Sequence, residues 1–280
     1  MWFLMLWLWL SSASAEPGRV VAIGDLHGDM HGALQALQLA GVIDQDARWS
    51  GGETALVQTG DLFDRGADGR WIATLLVRLQ AEARAAGGAV HVLMGNHEAM
   101  NLLGDWRYVT PGDLLAFGGE GPRRAAMSRE QPLGAWMAAL PAVVKVHGTV
   151  FVHGGLDSAW ARLGVDAINQ QVHRAIAGGG GPALGATGPL WYRGLATEPE
   201  ETMCPKLTAS LAAVGGERMV IGHTVAGQGA ILPRCEGRLF AIDTGISSYY
   251  GGHVAIWEQR EGGIFARTPT EERRLIPLAR

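Results

Sequence analysis

Apolar residues in this chain gather into short runs rich in β-branched side chains. Five of them, 19–23 (RVVAI), 54–59 (TALVQT), 89–94 (AVHVLM), 149–152 (TVFV) and 218–221 (RMVI), are near-continuous in apolarity, as strands covered on both faces of an α/β sheet are. Residues 238–242 and 253–258 predict two later strands. Between the first runs the spacing becomes helical. Residues 31–40 put Leu34, Leu37 and Leu39 roughly on one side and stop at Gly41, while 71–86 carry Ile72, Leu75, Leu76 and Leu79 and stop at Gly87 and Gly88. Strand and helix in alternation predict right-handed βαβ units. Residues 99–145 and 156–215, rich in Ala, Leu and Trp with Gly and Pro breaks, predict helical insertions over one end of the sheet, with a flexible loop at 178–181.

Composition narrows the class. The chain has 280 residues, 48% hydrophobic and 18% charged, with a net charge of −4. No repeat or linker divides it, and its length suits one large core, so 16–280 are expected to form a single domain. No basic run is long enough to track a phosphodiester backbone, which argues against a nucleic-acid partner. The first fifteen residues, MWFLMLWLWLSSASA, carry no charge and end in a small-residue A-x-A pattern. Residues 1–15 therefore predict a secretory signal peptide, with Glu16 as the new N-terminus and a periplasmic or secreted product. The Lys or Arg that usually precedes such a run is missing. A stable membrane anchor fails on length, because ten helical residues at about 1.5 Å each cover about half of a 30 Å hydrocarbon layer. Two cysteines, Cys204 and Cys235, either pair with each other, as an oxidising compartment favours, or stay as buried thiols.

The chemistry lies where the five core runs stop. Each ends in a ligand-type residue, directly or after one glycine: Gly24-Asp25-Leu26-His27-Gly28-Asp29, Gly60-Asp61-Leu62-Phe63-Asp64-Arg65-Gly66, Gly95-Asn96-His97-Glu98, His153-Gly154-Gly155 and Gly222-His223. The carboxyl ends of strands form the binding crevice of an open α/β sheet, so these runs are expected to bring Asp, His, Asp, Asn, His and His to one edge of one sheet. One Gly-Asp pair alone is usually turn chemistry, and one buried histidine is usually a satisfied core residue. Five such endings together are not. Carboxylate, amide oxygen and imidazole suit manganese, iron or zinc better than calcium or magnesium. Six ligands exceed the needs of one open metal and suit two metals sharing a carboxylate.

GDLHGD, GDLFDRG and GNHE, followed by HGG and a late GH, resemble the signature of the calcineurin-like metallophosphoesterases. GDxxDRG with GNHE is similar to the phosphoprotein phosphatases within them, and GNHEAMNLLGDWRYVTPGD with PLWYRG is most similar to the bacterial-type Shewanella-like phosphatases. The resemblance spans residues 19 to about 258. It implies an α/β fold of two packed mixed β-sheets flanked by helices. It further implies that Asp25 and His27 hold a first metal, Asp61 bridges two, and Asn96, His153 and His223 complete the second. A metal-bound hydroxide would attack phosphorus in line, with manganese the first expectation and iron or zinc as alternatives. Arg65 and Arg193 would grip phosphate oxygens, and His97, oriented by Asp64, would protonate the leaving oxygen. Glu98 and Asp29 are expected to orient ligands rather than to serve as ligands. Of Tyr249 and Tyr250, one either lines the pocket or packs.

The expected activity is a phosphomonoesterase acting on phosphorylated proteins at Ser/Thr or Tyr. The alternative is a hydrolase of small phosphate esters or dinucleoside polyphosphates, since phosphoproteins are scarce outside the cytoplasm. A non-catalytic binding protein would have lost a ligand, and none is lost.

Overall fold

A computed structural model describes residues 18–226 and 229–278 of the chain. The first half folds as the alternation predicts: β1 (Val20–Ile23), α1 (Met30–Leu39), β2 (Ala55–Gln58), α2 (Gly69–Ala85) and β3 (Ala89–Val92). β1, β2 and β3 are parallel, with Val20 opposite Ala55 and Ala55 opposite Ala89. Asp29 starts α1 by accepting from the Gly32 N–H at 2.9 Å, which satisfies one of the free donors of the first turn.

The fold has the two packed mixed sheets that the resemblance implies, and the expectation that all five core runs end on one edge of one sheet is corrected, because the runs divide between the two. Three of the five core runs lie in a six-stranded sheet ordered β11-β10-β9-β1-β2-β3, completed by the antiparallel strands β9 (Ile256–Arg260), β10 (Gly263–Arg267) and β11 (Glu272–Ile276). The other two runs, β5 (Thr149–Val152) and β6 (Arg218–Ile221), belong to a five-stranded sheet ordered β4-β5-β6-β8-β7. Its remaining members are β4 (Val143–Val146), β7 (Leu232–Arg234) and β8 (Leu239–Ala241). Both sheets have buried strands, so apolarity alone does not assign a run to one or the other.

The period of two along the strands builds the layers. Val20, Ala22 and Val57 of the first sheet share one core with Phe151, Val220 and Phe240 of the second, centred on the fully buried Trp257. The Trp257 ring stands edge-on to Phe151 and Phe240, both at 5.7 Å. The alternate residues Val21, Ile23, Val150 and Val152 face the helices.

Both expected insertions are mostly helical. α3 (Asn96–Leu102), α4 (Pro111–Ala116), α5 (Glu120–Ala126) and α6 (Pro132–Ala138) fill the first. α7 (Ser158–Ala161), α8 (Val165–Gly178), α9 (Gly194–Thr197) and α10 (Glu200–Val214) fill the second. The loop expected at 178–181 starts one residue late, since Gly178 closes α8 and Gly179 forms its left-handed cap. The strand expected at 253–258 also slides to Ile256–Arg260, because His253 is tied to the preceding loop through Gly245 O and Thr244 Oγ1. Cys204 and Cys235 form a disulfide between α10 and the turn after β7, with their Cα atoms 5.6 Å apart. Residues 1–15 lie outside the described residues, and no described helix is long and apolar enough to cross a membrane.

Candidate metal centre

The loops that leave β1, β2 and β3 are laced together by their backbones. Leu26 and His27 donate to Asp61 O at 3.0 and 2.9 Å, and Gly28 donates to Leu62 O at 2.8 Å. Gly28 sits at φ +65°, and a Cβ there would lie 2.6 Å from the Gly66 carbonyl carbon, so close approach requires glycine at this turn. Glu98, fully buried, accepts from the N–H groups of Asp61, Leu62 and Gly95, each at 2.8 Å. It therefore fixes the loop that carries Asp61, in keeping with the orienting role expected of it. Asp29 instead caps α1 and accepts from Ser248 N at 2.8 Å. Among the described residues, nine non-glycine residues have positive φ, and five of them are His27, Asp61, Asp64, Arg65 and His223. Strain on the order of 1–3 kcal/mol per residue persists only where the surroundings impose it, and such residues cluster at functional sites.

All six residues expected as ligands meet in one buried cluster. His27 faces Phe63 O with Nδ1 at 3.2 Å. Its Nε2 is thereby left to face Asp25 Oδ2 at 3.8 Å and Asp61 Oδ2 at 3.7 Å. His153 sets Nδ1 on Thr59 O at 2.8 Å, so its Nε2 meets Asn96 Oδ1 at 2.9 Å and Asp61 Oδ1 at 3.3 Å. The Asn96 amide nitrogen is turned to Met100 Sδ at 3.8 Å, leaving its oxygen towards His153. Asp25 accepts from His223 N with both oxygens at 3.2 Å. The His223 ring stands 4.8 Å from that of His153. Its buried Nε2 has no hydrogen-bond partner among the described residues.

With Nδ1 turned to Phe63 O, the His27 Nε2 lone pair faces two carboxylates, an arrangement of acceptors that a cation would reconcile. Burial, with help from His153, holds the His223 pKa down at about 2. Burial likewise holds His27 at about 4 against the pull of Asp61. Both rings are therefore neutral near pH 7, with lone pairs free to bind a metal. Burial works against ionised Asp61, but His153 and His97 outweigh it and hold its carboxyl well below the usual range. Burial and then Asp243 and Asp61 push Asp25 well up. Neutral imidazole nitrogens, carboxylates and an amide oxygen gathered in one buried place make a donor set that fits metal ions. Within this cluster two groups have ligand atoms within 4.8 Å of one another: His27, Asp61 and His97 on one side, and Asp61, His153 and His223 on the other. Asp61 belongs to both.

Above the cluster a cavity of about 260 Å³ is lined by His27, Asp61, Asn96 and His223, with both arginines on its wall. The Arg65 guanidinium lies 3.9 Å over the Tyr108 ring and 5.1 Å from that of Tyr249. Arg193 is anchored by Nη1 to His223 O at 2.7 Å and Thr224 Oγ1 at 2.9 Å. His97 holds Asp64 Oδ2 through Nδ1 at 2.6 Å, with its Nε2 3.8 Å from Asp61 Oδ2. Burial disfavours charge on His97, but Asp61 and Asp64 outweigh it and raise its pKa. Tyr250 lines the cavity with its ring 5.0 Å from His27, while Tyr249 is 58% exposed.

Sequence reasoning missed Asp243, Tyr108 and Trp191 on the cavity wall. Asp243 obeys the strand-end rule, since it follows the run 238–242 and precedes Gly245 by two residues. It is buried, accepts from Gly245 N at 3.1 Å, and is pushed up to about 6 by burial and then by Asp61. Tyr108 and Trp191 carried no such signal. A larger groove of about 510 Å³ between α2 and α5–α6 contains no acid or histidine.

Fold and site together define the class, a metal-dependent phosphoesterase: residues 18–226 match the family described as calcineurin-like phosphoesterase. The chain is 33% identical over 289 residues to Shewanella-like protein phosphatase 2 of Arabidopsis thaliana, covering 85% of this chain and 74% of that protein. An uncharacterized protein of Schizosaccharomyces pombe is 37% identical over 255 residues, covering 86% and 76%. The crystal structure of a cold-active protein-tyrosine phosphatase of a psychrophile Shewanella sp. superposes with a TM-score of 0.82 at 27% identity, covering 93% of this chain and 81% of that one. The chain belongs to the calcineurin-like phosphoesterases, in the branch of the Shewanella-like protein phosphatases.

Proposed function

We propose that the protein is a two-metal phosphomonoesterase acting on phosphorylated proteins. Asp25 and His27 would hold one ion, Asn96, His153 and His223 the other, and Asp61 both. One observation carries this reading: the two oxygens of Asp61 face different histidines, Oδ2 towards His27 at 3.7 Å and Oδ1 towards His153 at 3.3 Å. Manganese is proposed first, with iron or zinc accepted by the same donors. When bound, the ions supply charge neutralisation of the phosphoryl group and acidification of water.

The chain's own residues do the rest. Arg65 and Arg193 bind phosphoryl oxygens from the cavity wall, for which the planar guanidinium fork is well shaped. The Tyr108 and Tyr249 rings against Arg65 restrict its motion, so little freedom is lost on binding. His97 carries a proton on Nε2 and gives it to the departing oxygen as the phosphorus–oxygen bond breaks. Asp64 holds the opposite ring nitrogen and with it the orientation. His97 also sits within ligand distance of Asp61 and His27. Its raised pKa and its carboxylate partner favour proton donation over metal binding. Tyr108, Tyr250 and Trp191 on the wall favour a phosphotyrosine side chain, as does the solved structural neighbour named a protein-tyrosine phosphatase. The disulfide supports an oxidising compartment, and we place the mature protein, beginning at Glu16, in the periplasm or outside the cell.

Steady-state kinetics on phosphopeptides, nucleotides and p-nitrophenyl phosphate test the assignment. Phosphopeptides are expected to give the highest kcat/KM, and Asp61→Asn to lower kcat on every substrate by about 100-fold or more. A preference for nucleotides or dinucleoside polyphosphates of about 100-fold, some 2.7 kcal/mol in transition-state binding, would favour the small-ester reading instead.

A further inference from the structure

Behind His97 a line of buried charges runs out of the site into the first helical insertion. His97 Nδ1 and Asp64 Oδ2 are 2.6 Å apart, and Arg123 Nη2 lies 3.8 Å from Asp64 Oδ1. Arg123 Nε then donates to Asp113 Oδ2 at 2.6 Å. Asp64, Arg123 and Asp113 are all 0% exposed. The signs alternate along this line, and Asn101 Nδ2 steadies its centre by donating to both Asp64 oxygens at 3.1 Å.

We infer that Arg123 is a positioning residue for the reaction: from α5 it holds Asp64, and through Asp64 the His97 imidazole, in the orientation that delivers a proton to the departing oxygen. This rests on the proton-donor reading of His97 given above. Packing alone does not explain an arginine here. Burying a guanidinium costs several kcal/mol of solvation, and an apolar side chain of similar volume commonly does as well or better. Asp113 alone would balance the charge and clip α4 to α5, yet the guanidinium is also brought up to Asp64. It lies 4.9 Å from the Trp106 ring and 5.5 Å from that of Phe117, which limits its movement. Its Nη1 and Nη2 have no hydrogen-bond partner among the described residues, so the contact of Nη2 with Asp64 Oδ1 at 3.8 Å is an ion pair without a hydrogen bond. Asp64 itself sits at φ +69°, a strained backbone that aims its side chain inward and requires support there. Misplacing a proton donor by about 1 Å can cost as much as about 100-fold in rate, which is the scale on which such support acts.

The leaving group separates this role from a purely structural one. A dinitrophenoxide departs without a proton, whereas phenoxide needs one. Metal-loaded Arg123→Met is therefore assayed on phenyl phosphate and 2,4-dinitrophenyl phosphate beside His97→Ala, with metal content and thermal midpoint measured on each protein. The expected result is a kcat loss of about tenfold or more on phenyl phosphate, little loss on the dinitrophenyl ester, and unchanged KM and metal content. Equal losses on both esters, or none, overturn the inference. If His97→Ala shows the split and Arg123→Met does not, the inference fails alone. If His97→Ala shows no split, the proton-donor reading fails and takes this inference with it. Should Arg123→Met not fold, Asp113→Asn decides by the same pair of esters, because it loosens the clamp on Nε and keeps the cation.

Discussion

Asp61 shows how much a single side chain is asked to do. Its carboxylate faces three imidazoles, those of His27, His97 and His153, within 3.8 Å. Its backbone N–H is held by Glu98, and its own φ is +57°. That degree of constraint is what a shared metal ligand needs, since two ions cannot both be served by a carboxylate free to rotate. The constraint depends on a residue with no side chain. A Cβ on Gly95 would collide with Asp61 Oδ1 and the Asp61 backbone nitrogen, and would lie 2.8 Å from Glu98 Oε2. Gly95→Ala is accordingly expected to cost about 1–3 kcal/mol of stability and to weaken metal binding. Thermal denaturation and metal titration check this, and an unchanged variant would mean that the loop has slack the structure does not show.

Among elements, the loops after the strands carry the site and the helical insertions brace it. The strand-end loops were legible in the sequence because each places its polar residue within two positions of an apolar run that cannot turn without glycine. What supports them was not. Arg123 and Asp113 look like surface charges in the segment PGDLLAFGGEGPRR, and only the packing of α4 and α5 buries them. Asp243 obeys the same rule as the rest, at the end of a run that reads as an ordinary late strand. The disulfide is a second brace, joining α10 to the turn after β7 across a sequence separation of 31. Closing a loop of that length stabilises by about 3.7 kcal/mol in the chain-entropy account. The double variant Cys204→Ser, Cys235→Ser is expected to lose about that much in denaturant unfolding. Equal midpoints for it and the oxidised parent would remove the disulfide from the account of stability.

For the molecule as a whole, the sequence pattern predicts the strands but not how they divide into sheets. Buried parallel strands look alike wherever they lie, and only pairing over long sequence separations puts β5 and β6 in the second sheet. Two sheets packed through Trp257 bring their carboxyl ends together, so that the proposed ligands come from both: Asp25, His27, Asp61 and Asn96 from the first, His153 and His223 from the second. A paired metal centre that spans the two sheets is the central claim. Its most direct test is elemental analysis of protein purified without added metal, for the parent chain and Asp61→Asn side by side. The account predicts about two transition-metal ions per parent chain and a clear deficit in folded Asp61→Asn. A parent that saturates with a single ion, or an Asp61→Asn variant that keeps the full complement, contradicts it.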